Sequence, residues 1–323
     1  MTEVEIKSQP VKTRLPAGLP LARLHPYLKK VVPAPVRKAM RPIYDYSLYM
    51  KYNRKLNRLG VNKKRLLIMG TIARSGLHKM RFMLANYLKL ATGTSDGPVK
   101  SEEMWSMFPN DWWYVYWFRH PAMAYKSPTP LLEQFGLDDL TEIHTVYPSY
   151  CWDQSKVLHL YRNPLDFAVS YYHWAFKYYP ERWPNVANPV DVMDILLDDY
   201  ATMYVSYQKA ALRKDTNVLR FSYEELMTDP QTCLSATLTW LGTTVDQSLV
   251  ELACEYSSTA SIRQLEERDG PMADNPVTRI TGRFLRDGSI GQWKEHFDDS
   301  AVSKVEARLN AYGIKLGDFT LEG

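Results

Sequence analysis

Three times along this chain a run of five or six mostly apolar residues ends in a turn and gives way to a helical pattern. Arg65-Leu66-Leu67-Ile68-Met69 stops at Gly70, and helical spacing follows through Leu88. Lys156-Val157-Leu158-His159-Leu160-Tyr161 is the second run; after it Asn163 can cap, Pro164 takes a first helical position and Asp166 falls near the positive helix end. Asn217-Val218-Leu219-Arg220-Phe221 is the third, ahead of a helix begun by Asp229-Pro230. Strands alternating with helices predict an α/β fold, a central parallel sheet flanked by helices on both faces. Further helices are predicted over 190–213, 246–256 and 300–311. In such a sheet, ligands sit beyond the carboxyl ends of the strands, where helix starts present amide donors. The turns after the runs are therefore where function is to be sought.

Composition narrows the class. A chain with 45% hydrophobic and 24% charged residues forms a globular core, and no run of eighteen apolar residues predicts a membrane span. The first sixteen residues lack an apolar stretch of signal-peptide type. Cys151, Cys233 and Cys254 are widely spaced and match no metal-ligand pattern, so no metal is expected. Their odd number suits buried thiols in a reducing, cytoplasmic setting.

Charge is uneven. Residues 1–66 hold sixteen Lys or Arg against Glu3, Glu5 and Asp45, in a chain whose formal charge is only +4. Prolines at 10, 16, 20, 26, 33 and 35 forbid a long helix there, whereas Tyr44, Leu48, Tyr52, Leu56 and Leu59 recur at helical spacing. The predicted organisation is a basic, Pro-rich arm with an amphipathic helix over 1–60, then a single domain over 61–323. Contact of the arm with a membrane surface is one reading; docking on the acidic body, or plain solvation, is the favoured one. Nucleic acid is not an expected partner, because the basic residues crowd into a Pro-rich arm and not into a reading motif.

The first turn, Gly70-Thr71-Ile72-Ala73-Arg74-Ser75-Gly76-Leu77-His78-Lys79, is not a nucleotide-hydrolase P-loop. Five residues separate Gly70 from Gly76 where that motif needs four, and no Lys-Ser/Thr follows. It resembles instead the 5′-phosphosulfate loop of the PAPS-dependent sulfotransferases (PAPS, 3′-phosphoadenosine-5′-phosphosulfate), whose Thr-Tyr-Pro-Lys-Ser-Gly-Thr-Thr-Trp is matched by Thr71 to Lys79. Thr71, Ser75 and Gly76 are kept, the family Lys is Arg74, and Thr-Thr-Trp becomes Leu77-His78-Lys79.

The second turn is the more specific. Leu160 to Trp174, with Arg162-Asn163-Pro164 and Ser170, resembles the family's 3′-phosphate motif almost residue for residue. Further along, Arg220-Phe221-Ser222-Tyr223-Glu224-Glu225 resembles the strand–Tyr-Glu-Asp–helix segment, and Ala260-Ser261-Ile262 loosely resembles the adenine contact. Phe284 to Phe297, with Arg286-Asp287-Gly288 and Gly291-Gln292-Trp293, resembles the closing Gly-rich segment.

The resemblance spans roughly residues 65–297 and implies a P-loop-like sulfotransferase fold with PAPS as co-substrate and PAP (adenosine 3′,5′-bisphosphate) as product. It implies that Arg74, Ser75, Gly76, Leu77, His78 and Lys79 hold the 5′-phosphosulfate. Arg162, Ser170, Arg286, Asp287 and Gly288 would cradle the 3′-phosphate, with Tyr223 and Ser261 at the adenine. Tyr223 reads equally well as core.

A hydroxyl or amine acceptor requires a base. Glu142-Ile143-His144, eighteen residues before Arg162, is the nearest match to the family's Lys-Thr-His, which makes His144 the candidate base beside Arg74 as catalytic cation. Glu142, His78, Glu102 and Glu103 remain rivals. Trp105, Trp112, Trp113 and Glu102 would line the acceptor pocket, and aromatics beside carboxylates suit a small, cationic natural product. A lipid or glycan acceptor, or a non-catalytic PAP-binding protein, stays open.

Overall fold

The computed structural model describes residues 62–72, 74–95, 97–100, 135–137, 139–143, 153–178, 186–269 and 288–319, with isolated positions 54, 57, 103, 104, 107 and 147. The arm over 1–60 thus lies almost wholly outside the described residues. Four strands, β1 (Leu66–Thr71), β2 (Asp139–Ile143), β3 (Lys156–Tyr161) and β4 (Asn217–Ser222), form one sheet in the order β2-β1-β3-β4, and every pairing is parallel. Between and after them run α1 (Leu77–Ala91), α2 (Pro164–Tyr178), α3 (Pro189–Ala211), α4 (Tyr223–Thr228), α5 (Pro230–Leu241), α6 (Gln247–Tyr256), α7 (Thr259–Asp269) and α8 (Asp299–Asn310).

Alternation along the strands divides the core between two faces. Leu66, Ile68 and Val157 turn to one face and meet Leu165 of α2, Leu197 of α3 and Val305 of α8. Leu67, Met69 and Leu158 turn to the other, against Met83 of α1, Leu238 of α5 and Val250 of α6. A sheet covered on both faces needs apolar residues at every central position, and all six positions of β1 are buried.

The caps are local and legible. Asn163 Oδ1 accepts from Leu165 N at 2.9 Å at the start of α2, and Asp229 Oδ1 accepts from Thr232 N at 3.0 Å at the start of α5. Asn188 and Asp191 make a reciprocal capping box on α3. At the far end of the sheet Lys156 Nζ donates to the last carbonyls of α5, to Trp240 at 3.2 Å and Leu241 at 2.5 Å, where a cation offsets the negative helix end.

One close approach fixes how α3 lies on the sheet. A Cβ on Gly70 would stand 2.2 Å from Tyr207 Oη. Tyr207 in turn stacks on His159 with centroids 4.0 Å apart and planes 2° apart. His159 is fully buried; desolvation, helped by Arg220, holds its pKa well below the usual range, so the neutral ring donates from Nδ1 to Gly70 O at 2.5 Å.

Candidate functional site

The site is built where β1, β3 and β4 end. After Thr71 the chain turns through Arg74, at φ 67°, and Gly76, at φ 88°, on either side of Ser75. Such left-handed turns gather backbone amides into anion-binding concavities. Gly76 supplies no side-chain cap to α1, so the first turn of that helix keeps its donors for a ligand. Glycine is required there twice over: by its φ, and because a Cβ would stand 2.9 Å from Leu226 Cδ2 and 3.0 Å from Tyr223 Cδ2. Ser75 is fully buried, and its Oγ has no hydrogen-bond partner among the described residues.

The turn after β3 reaches the same place. Arg74 Nε donates to Ser170 Oγ at 3.3 Å, which ties the first loop to the second turn of α2. Arg162, 5% exposed, lays its guanidinium over the Tyr223 ring at 4.0 Å and donates from Nη2 to Ser289 O at 3.0 Å. Its Nε is buried with no hydrogen-bond partner, so this cation still has donor capacity to give. Tyr200 Oη, from α3, donates to the Arg162 carbonyl and fixes the backbone beneath it.

The start of α4 and the segment after 288 close the arrangement. Tyr223 Oη donates to Gly288 O at 2.7 Å, and burial raises the phenol's pKa against the opposing pull of Arg162 and Arg74, keeping the donor protonated. Asp166, 1% exposed, accepts from Gly291 N at 2.6 Å and from Trp293 N at 3.0 Å. Glu224, beside Tyr223, accepts from Asn163 N at 3.1 Å; desolvation pushes its pKa up to about 7. Ser75, Arg74, Ser170, Arg162, Tyr223 and Gly288 therefore share one neighbourhood, drawn from four segments of the chain between positions 74 and 288.

Other expected residues sit differently. Lys79 is held below the usual lysine range by burial, and its electrostatic neighbours are Cys254 and Cys233 on α6 and α5; no described contact joins it to Arg74, Arg162 or Ser170. Leu77 is buried in the core on the α1 side of the sheet. His78 is partly exposed in the first turn of α1. Ser261 Oγ donates to Glu255 O at 2.8 Å and shares a 2.9 Å contact with Ser258 Oγ, at the junction of α6 and α7. Glu103, a rival base, is engaged by Lys89 Nζ at 3.0 Å and Lys100 N at 3.0 Å. Glu142 lies on β2 opposite Met69, and β2 ends at Ile143 opposite Gly70, the edge where β1 opens into the first loop. His144, Arg286, Asp287, Glu102, Trp105, Trp112 and Trp113 lie outside the described residues.

Residues 64–318 match the family defined by the sulfotransferase domain. The chain belongs to the sulfotransferase family. Among curated relatives, this chain is 26% identical over 185 residues to a 3-beta-hydroxysteroid sulfotransferase of Cavia porcellus, covering 55% of this chain and 61% of that one. The chain thus matches about three fifths of that relative's length. Among solved structures it resembles retinol dehydratase in complex with androsterone and inactive cofactor PAP. There the TM-score is 0.57 at 16% identity, over 86% of this chain and 88% of that one. Mouse sulfotransferase SULT7A1 complexed with PAP gives 0.53 at 16% identity, over 80% and 89%. At that identity the likeness establishes the fold: this chain has the family's parallel sheet and flanking helices.

Three features of the site lie outside the expected set. Asp166, Glu224 and Tyr200 hold the backbone of Arg162, Asn163 and residues 291–293. Asp166 carries a partial sequence signal: it is the acid in the first turn of α2, a helix that the Asn163 side chain already caps. Tyr200 and Glu224 carry none, because their partners are backbone groups brought near only by the fold.

Proposed function

We propose that this chain catalyses sulfuryl transfer from PAPS to a hydroxyl or amino group of a small-molecule acceptor. The observation that carries the reading is the convergence of two arginines, Arg74 from the first loop and Arg162 from the turn after β3, on a site rimmed by Ser75, Ser170 and Gly288. Two separated cationic centres suit a nucleotide with phosphates at both ends of its ribose, and the buried Ser75 Oγ and Arg162 Nε supply unspent donors to meet them.

PAPS, when bound, supplies the sulfuryl group and PAP as a stable leaving group. The first loop, with Arg74 and the amides at the start of α1, holds the 5′-phosphosulfate and stabilises charge developing on the bridging oxygen as its bond to sulfur breaks. Arg162 and Ser170 bind the 3′-phosphate and fix the nucleotide's register. The new bond forms between sulfur and the acceptor oxygen or nitrogen, and the acceptor's proton passes to a base. His144 is the proposed base, with Glu142, on the strand β2 that pairs with β1, its first rival. Arg286 and the Gly288 amide complete the 3′-phosphate cradle, and Trp105, Trp112, Trp113 and Glu102 line the acceptor side. No described helix is long and apolar enough to cross a membrane.

The test is incubation of the protein with PAPS and a panel of steroids, phenols, amines, alkaloids, lipids and glycans, read by mass spectrometry. One class gaining a sulfuryl group as PAP accumulates is the expected result. PAP binding with no product across the panel would make the chain a nucleotide-binding protein and end the enzymatic reading.

A further inference from the structure

We propose that Asp166 is a positioning residue: it latches the 288–293 segment onto the start of α2, and so sets how strongly the site prefers a nucleotide carrying a 3′-phosphate. The second half of this statement rests on the donor reading above. The latch itself does not.

Asp166 is in the first turn of α2, where an acid would ordinarily serve the helix itself. Here that service is already given: Asn163 Oδ1 accepts from Leu165 N at 2.9 Å and Asp166 N at 3.4 Å. The Asp166 carboxylate instead spends both oxygens on backbone 125 and 127 residues away, at 2.6 Å to Gly291 N and 3.0 Å to Trp293 N. Gly291 has φ 81°, a left-handed turn residue at the start of a short 3-10 turn, Gln292–Glu295, and this bend brings the two amides round to one carboxylate. Hydrogen bonds from amides to a buried carboxylate are among the stronger ones, and Asp166 is buried although its donors are half-exposed.

The rest of the segment is held by groups with another task. Tyr223 Oη donates to Gly288 O at 2.7 Å, and Arg162 Nη2 donates to Ser289 O at 3.0 Å. Arg162 is also the cation proposed for the 3′-phosphate. When its guanidinium turns to that phosphate, the Ser289 contact weakens, and Asp166 is what keeps the segment in register. A one-residue slip would carry Gly288, with its φ of 86°, away from Tyr223.

The experiment compares wild type with Asp166→Asn, which keeps the shape but sets an amide NH2 against an N–H donor. Asp166→Glu, which keeps the charge at the helix start but moves it, is the second variant should the first fold poorly. Affinities for PAP and for adenosine 5′-monophosphate are measured by calorimetry, and amide exchange at Gly291 and Trp293 is followed by NMR. The expected result is a fall of about tenfold in the PAP-over-monophosphate affinity ratio, the scale of one lost hydrogen bond to a charged group. Exchange at the two amides should quicken by a similar factor while β1 and α3 stay protected. An unchanged ratio with unchanged exchange overturns the proposal, and so does equal weakening of both nucleotides, which marks a general defect. Wild-type protein that binds no PAP would sink the donor reading instead, and the exchange rates at 291 and 293 would still decide the latch.

Discussion

Arg74 Nε lies 3.3 Å from Ser170 Oγ, so the loop after β1 and the helix after β3 meet through side chains 96 residues apart in the chain. The contact joins the residue expected at one end of the nucleotide to the residue expected at the other. It also lets the donor site exist as one object before any ligand arrives. Two opposing quantities meet at Arg74: a hydrogen bond from a cation, and a left-handed φ of 67° that L side chains adopt at a cost.

That opposition is measurable. In urea denaturation, Arg74→Gly should be less destabilising than Arg74→Ala by about 1 kcal/mol, because glycine removes the backbone strain that alanine retains. A cycle of Arg74→Ala, Ser170→Ala and the double variant should give a coupling of about 1 kcal/mol, kept modest by partial solvent exposure. Equal stabilities for the two Arg74 variants would remove the strain argument, and a coupling of zero would remove the contact.

Gly70 tests the packing of α3 on the sheet. A Cβ there would meet Tyr207 Oη at 2.2 Å, Cζ at 2.5 Å and Cε1 at 2.6 Å. Gly70→Ala should therefore cost about 2–4 kcal/mol, since overpacking a well-filled core forces backbone movement. Adding Tyr207→Phe should not rescue it, because the ring carbons remain too close; adding Tyr207→Ala should restore part of the loss. Rescue by the phenylalanine variant, seen in thermal melts, would show that only the hydroxyl matters.

Glu224 gives the protein a pH signature. Its carboxyl is almost fully buried, and desolvation raises its pKa to about 7 from an ordinary 4.5, despite the opposing pull of Arg162. An acid whose folded pKa is raised binds more protons folded than unfolded, so this group's contribution to stability is highest at low pH and declines as pH rises from about 4.5 to about 7. The decline is on the order of 3 kcal/mol for a shift of this size, since each pKa unit is worth about 1.4 kcal/mol. Glu224→Gln keeps an acceptor for Asn163 N and does not titrate. The variant should gain stability relative to wild type as pH rises through that window. Parallel stability-versus-pH curves would place Glu224's pKa back in the ordinary range.

What the sequence disclosed and what it withheld have physical causes. The runs that became β1 and β3 were legible because strands buried on both faces need uninterrupted apolar residues, the half-buried β4 was legible from its Val-Leu-Arg-Phe run, and Asn163-Pro164 and Asp229-Pro230 marked helix starts through local hydrogen bonds. The strand Asp139–Ile143 escaped notice. It is at the edge of the sheet, and its Asp-Leu-Thr-Glu-Ile carries two acids that strands generally avoid. Arg162, Ser170, Tyr223 and Gly288 could be assembled from motif order. That Glu224 would brace them could not, because its partner is a main-chain amide without sequence identity, and Asp166 showed only as an acid at a helix start, with its distant partners unmarked. Lys79 shows the converse: the motif match puts it in the phosphate loop but does not disclose that its ammonium is largely desolvated, with Cys254 and Cys233 as electrostatic neighbours.

Calorimetric titration of PAP into wild-type protein and Arg162→Ala tests the donor site most directly. Wild type is expected to bind one PAP per chain, and the variant to bind at least about tenfold more weakly, as loss of a charge-assisted phosphate contact requires. Equal affinity in the two proteins would contradict the account, since the buried guanidinium over Tyr223 would then have nothing to do with the 3′-phosphate.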